Sequence, residues 1–177
     1  NTQRKTSYTG TVFYGKQSTK DRYRLQLVKD DGFTIQNGIA YFAAGNYGFG
    51  REDTRIPNSQ ASDALFSYAD DAKVVINGRA AFNNDDVITL GLRHFVAGTY
   101  KIEAVDLEGV FANGQSIYLK DKVLGILTDL AQGPYSFTSN AGEFTNRFEV
   151  VYKPQVILAT ADSQGNGAVN VYSDAGD

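Results

Sequence analysis

Thr99-Tyr100-Lys101-Ile102-Glu103-Ala104 decides the fold class. Apolar residues take every second position and polar residues fall between them. This period of two puts Tyr100, Ile102 and Ala104 on one face of a strand and turns Thr99, Lys101 and Glu103 to water. The same alternation recurs around Tyr23, Leu25 and Leu27, and again around Phe148, Val150 and Tyr152. Strands with one wet face are the mark of antiparallel sheets. Lys73–Arg79, Val87–Leu92, Ile117–Lys120, Val123–Leu130 and Pro134–Thr138 are further strand candidates. Turn pairs punctuate them at Asp31-Gly32, Asn37-Gly38, Asn77-Gly78, Asn113-Gly114, Gly133-Pro134 and Ala141-Gly142, the last wanting positive φ at its glycine. Short strands at this spacing predict an all-β fold, an antiparallel β-sandwich of jelly-roll type. Its core should hold Leu25, Tyr100, Ile102, Tyr135, Phe137, Phe148 and Val150. Arg147, between inward aromatics, should face outward and form an exposed pair with Asp121 or Asp129. Residues Asn58–Ala64 are read as one helical turn at most.

Composition then narrows the chemistry. The 177 residues are 42% hydrophobic and 21% charged, enough for one domain with a real core. No apolar run approaches the ~20 residues of a spanning helix, which argues against a membrane-spanning chain. A net charge of −3 leaves no broad basic footprint for nucleic acid. Cysteine is absent, which removes disulfides, zinc thiolates and thiol nucleophiles. The single histidine, His94, lies in Leu92-Arg93-His94-Phe95 without a nearby nucleophile elbow and reads as a strand-end residue on the surface. Composition thus leans against an enzyme, and no catalytic residue is assigned. Because methionine is also absent, Asn1 is not an initiator residue, and the chain is expected to be a processed product or a piece of a longer one.

Two regions break the strand pattern. Gly45–Pro57 is longer than a hairpin needs and carries glycine, aromatic and charged residues. At Lys153-Pro154 the alternation stops, since proline cannot donate to a central ladder. Beyond it, Val156–Ala159 and Ala168–Tyr172 read as a hairpin about Ser163–Gly167. The expected organisation is therefore a sandwich module over residues 1–152 and a linker with a short peripheral hairpin over residues 153–177.

Two constellations are weighed as sites. Asn83-Asn84-Asp85-Asp86 gathers side-chain oxygens such as calcium takes, though without EF-hand spacing, and solvated turn residues are the plainer reading. Tyr47, Phe49, Arg51 and Asp53 in the long loop offer rings for stacking on sugars and polar groups for hydroxyls. The plainer reading is that Tyr41 or Phe42 enters the core while Tyr47 and Phe49 pin the loop. Gly45-Asn46-Tyr47-Gly48-Phe49-Gly50 is no dinucleotide fingerprint, since no helix follows it.

One resemblance covers most of residues 21–152. Its ordered pieces are Asp86–Gly91, Gly98–Ile102, Glu108–Ala112, Ile117–Asp121, Asp129–Phe137 and Gly142–Phe148, with looser similarity at Asp21–Leu25 and Val75–Arg79. The series resembles the β-sandwich module that precedes the C-terminal sorting domain of Bacteroidota proteins exported by the type IX secretion system. The tail resembles the opening strands of such a sorting domain. The resemblance brings no catalytic residues. It implies a secreted or cell-surface module of a larger adhesin or hydrolase, a spacer presenting the tail to an outer-membrane export barrel. A carbohydrate-binding module using the 45–57 loop is the alternative.

Overall fold

The computed structural model describes residues 20–57 and 62–154. In chain order the strands are β1 (Asp21–Lys29), β2 (Thr34–Tyr41), β3 (Thr54–Arg55), β4 (Ala64–Ala69), β5 (Ala72–Arg79), β6 (Val87–His94), β7 (Gly98–Glu108), β8 (Tyr118–Asp121), β9 (Ile126–Asp129), β10 (Tyr135–Ser139) and β11 (Gly142–Val151). The all-β class stands, and the seven residues expected in the core are all buried. Gly142 has φ 149°, as its turn position required. The tail hairpin and most of the 58–64 stretch lie outside the described residues; Ala64 opens β4.

The arrangement differs from two antiparallel layers. A single mixed sheet runs β10-β7-β1-β2-β5-β4-β6-β11-β8-β9, with β3 beside β5, and nearly closes into a barrel. The cause lies in β5, which besides short β3 divides its length between two further partners. Its residues 72–74 pair antiparallel with 69–67 of β4, and its residues 76–79 pair parallel with 38–41 of β2. One strand therefore belongs to both halves and keeps the sheet continuous. Across the remaining opening β10 faces β8 and β11. Tyr135 donates its hydroxyl proton to Asp121, and the Phe137 ring lies 4.9 Å from that of Phe148.

The join around β5 corrects two expected turns, because Asn37-Gly38 and Asn77-Gly78 are strand interior. Both asparagines are fully buried. Asn37 Nδ2 donates to the Val74 carbonyl at 2.8 Å, and Asn77 Nδ2 donates to Ser67 Oγ and the Tyr68 carbonyl. Here the side-chain amides serve polar groups where the ladder changes partner. The stretch 64–69 is also strand, and three consecutive residues, Leu65, Phe66 and Ser67, are buried. Phe66 lies on β6 at Gly91, where an added Cβ would come within 2.2 Å of the ring.

Arg147 does not form an exposed pair. It bonds Asp121 through Nε at 3.0 Å and Nη2 at 2.7 Å, with the Asp121 side chain fully buried. That carboxylate also accepts from the Val123 and Leu124 amides. Burial raises the Asp121 pKa, but Arg147 and Tyr135 outweigh it and leave the value lowered; the Tyr135 phenol is pushed up to about 12, first by burial and then by Asp121. His94 is likewise no surface residue. It is 1% exposed, with its ring 4.3 Å from that of Tyr100 and 5.4 Å from that of Phe144.

Candidate functional site

Three tyrosines end strands at one pole of the body. Tyr23 opens the inward series of β1, Tyr41 closes β2, and Tyr152 follows the last residue of β11. Each occupies a terminal apolar position of an alternating run, the first for Tyr23 and the last for Tyr41 and Tyr152, so each ring enters the core while its hydroxyl needs a partner. They supply those partners to one another. Tyr23 and Tyr152 hydroxyls lie 2.6 Å apart, Tyr152 and Tyr41 another 2.6 Å, and Tyr41 donates to Asp86 Oδ2 at 2.8 Å. Asp86 is held in turn by Arg79, through Nε to Oδ2 and Nη2 to Oδ1, each at 2.5 Å. Phe82 and Phe111 pack edge-on or tilted against the tyrosine rings.

The direction of this chain of hydrogen bonds follows by elimination. Tyr41 has one hydroxyl proton and gives it to Asp86, so Tyr152 must donate to Tyr41. Tyr152 has then spent its own proton, and Tyr23 must donate to Tyr152. Burial, followed by the neighbouring phenols, pushes Tyr23, Tyr41 and Tyr152 well above the usual phenol range. Burial pulls the Arg79 guanidinium down, but the hydrogen bond and charge of Asp86 more than offset it, and its pKa is raised. The result is a neutral relay of hydroxyls ending on a buried ion pair. It fastens the first described strand to the last.

This cluster reassigns the acidic turn. Asp86 spends both oxygens on Arg79 and Tyr41, which puts a guanidinium where a cation would have to sit. Asp85 points outward to Lys153 at 2.5 Å. Asn83 accepts the Asp85 amide through its side chain and the Asp86 amide through its carbonyl. Asn84 lies in the same turn, which is a capped turn rather than an oxygen cage. Among the described residues no group of three or more histidine or acidic side chains could hold a metal.

The long loop is fastened over β5. Asp53 accepts the amides of Gly50 and Gly78, so its carboxylate serves the loop itself. Phe49 N–H bonds Asp70, and Asn46 bonds Glu52. Tyr41 is the residue that enters the core. Tyr47 and Phe49 remain partly exposed, at 47% and 39%. The Arg79 guanidinium lies 5.0 Å from the Tyr47 ring and that of Arg55 lies 4.2 Å from Phe49. Arg51 is exposed beside them. The four expected residues thus share one loop, with three facing outward and Asp53 turned to the backbone. Beyond β5, the Arg22–Glu108 and Arg24–Asp106 ion pairs flank a groove of roughly 370 Å³ whose walls include Gly38, Ala40 and Ile76.

The family model described as a domain of unknown function, DUF8693, matches residues 1–152, ending on the tyrosine at the middle of the relay. The chain belongs to the DUF8693 family. Neither the curated proteins nor the solved structures gave a match. The DUF8693 span therefore takes in the relay, the loop over β5 and the acidic turn together. Sequence reasoning missed the relay because its members come from five separate segments. The signal that could have found it was the tyrosine at the end of each alternating run.

Proposed function

We propose that the chain is a non-catalytic module of a secreted or cell-surface protein of the Bacteroidota, carried just before a C-terminal sorting segment read by the type IX export machinery. The ordered likeness over residues 21–152 to the sandwich-type modules of such proteins is the basis of this reading. The observation that carries it furthest is the fastening of Tyr152. Lys153 and Pro154 are exposed and follow directly on a side chain bolted to Tyr23 and Tyr41, so the module offers a fixed base at its C-terminal boundary. Adhesins are among the parent proteins that this arrangement suits. In this reading residues 153–177 form a separate peripheral segment that meets an outer-membrane barrel through backbone pairing.

Deleting residues 154–177 should leave the melting of the remaining body nearly unchanged. Removing the same residues with any sorting domain that follows should abolish export of the parent protein. A drop of many degrees on deletion would overturn the boundary at Lys153, and unimpaired export would overturn the targeting role.

A second reading is sugar binding, favoured by the partly exposed Tyr47 and Phe49 rings. Titration with surface glycans should then show binding that Tyr47→Ala and Phe49→Ala reduce at least tenfold. Equal binding by both variants would exclude the loop as the site.

A further inference from the structure

Strand β7 is paired unevenly. On one side β1 follows it along its length, from Lys29 opposite Tyr100 to Arg22 opposite Glu108. On the other side β10 reaches only Gly98–Ile102. Among the described residues, positions 103–108 of β7 therefore have no strand on that side, and their exposure rises toward the end. Beside this open edge lies an apolar pocket of about 280 Å³, lined by Ala104, Leu107, Phe111, Ile117 and Leu130. Unpaired strand edges accept added strands, and a neighbouring pocket selects the side chain that comes with them.

We propose that the occupant is this chain's own N-terminal segment, with Thr9-Gly10-Thr11-Val12-Phe13-Tyr14 laid along residues 103–108 of β7 and an apolar side chain seated in the pocket. Three observations favour it over other occupants. The family match begins at residue 1, so these residues belong to the same domain as the barrel. Strand β1 begins beside this edge, where Asp21 Oδ1 accepts the Val110 amide at 2.9 Å just past the end of β7. Reaching across β7 requires two strand spacings, about 10 Å, and residues 15–20 span up to about 20 Å. The segment itself is β-branched and aromatic, the composition that strands favour.

The chain has no cysteine, so cross-linking can be read without background. Cysteine would be placed at position 11, 12 or 13 in turn, each paired with Val105→Cys in the full chain, and oxidised. One pairing should give an intramolecular disulfide in high yield. Hydrogen exchange should show the amides of 103–108 that turn away from β1 slowed at least tenfold in the full chain, with that protection lost when the chain starts at Lys20. If the shortened chain does not fold, cross-linking alone decides. The absence of any intramolecular disulfide, cross-linked dimers in its place, preferential linkage of Val105→Cys to a cysteine within residues 155–159, or unchanged exchange on truncation would each overturn the proposal.

Discussion

Tyr23 and Tyr152 are 129 positions apart in the chain, and their hydroxyls lie 2.6 Å apart in the core. Tyr23 is a terminal donor in the relay, whereas Tyr152 both donates and accepts. This asymmetry makes the relay's direction measurable. Tyr23→Phe leaves only an unused lone pair on Tyr152 and should cost about 0.5–1.5 kcal/mol. Tyr152→Phe and Tyr41→Phe each strand a buried donor, on Tyr23 and Tyr152 respectively, and should cost about 1–3 kcal/mol. Denaturant unfolding of the three variants tests the order. Tyr23→Phe emerging as the most damaging would mean that the relay runs the other way.

The aspartate doublet at 85 and 86 should split sharply. Asp86→Ala leaves the buried Arg79 guanidinium without its carboxylate and should destabilise the fold by about 3–5 kcal/mol. Asp85→Ala loses an exposed contact with Lys153 and should change stability by no more than about 0.5 kcal/mol. Calcium should not raise the melting temperature of the wild type. A calcium-dependent rise of several degrees that disappears in Asp85→Ala would restore the turn as a metal site.

His94 gives the fold a pH dependence of known sign. The Asn140 carbonyl accepts from Nε2–H at 2.8 Å, so the neutral ring leaves Nδ1 as an acceptor, and that buried atom has no partner among the described residues. Burial lowers the pKa most. Lys29 and Arg147 lower it further, while the Asn140 carbonyl and Asp63 act in the opposite direction. The unfolded chain, with histidine near 6.5, binds the proton first. Stability is therefore full above that value, falls as pH drops through 6.5 toward the folded pKa, and levels off below it. Melting curves between pH 7.5 and 5.5 should show this decline. His94→Gln should abolish the part of it that belongs to the ring. An equal decline in the variant would assign it elsewhere.

Gly91→Ala tests the pairing of β4 with β6, in which Phe66 stands opposite Gly91. The added carbon meets the fully buried ring of Phe66, which has little room to retreat, and overpacking of this kind costs about 1–3 kcal/mol. Reducing Phe66 to Leu in the same chain should recover part of the loss. Additive losses in the double variant would show that the two residues do not share the space.

What the sequence discloses depends on the range of the cause. Tyr100, Ile102, Phe148 and Val150 follow a local period of two, and their burial is readable. Asn37 reads as a turn because asparagine before glycine marks one unless another strand offers a carbonyl, and that carbonyl, on Val74, lies 37 residues away. Phe66 breaks the alternation because Gly91 opens space on a face that would otherwise be wet. The parallel pairing of β2 with β5 leaves no local trace, since it depends on a strand divided between two partners. The acidic turn is visible in the sequence, but its chemistry is not. Nothing near Asp86 announces that Arg79 and Tyr41 will enclose it.

Strand β1 begins and strand β11 ends at the same pole of the barrel, joined there through Tyr23 and Tyr152. Tension applied through those two ends would therefore not slide long strands past one another. It would fall first on the hydroxyls of Tyr23 and Tyr152, then peel β1 and β11 away one hydrogen bond at a time. Such a body yields at low force and adds little reach to a chain under pull. It behaves as a clasp hung on a cord, and a pull would open it from the tyrosine end.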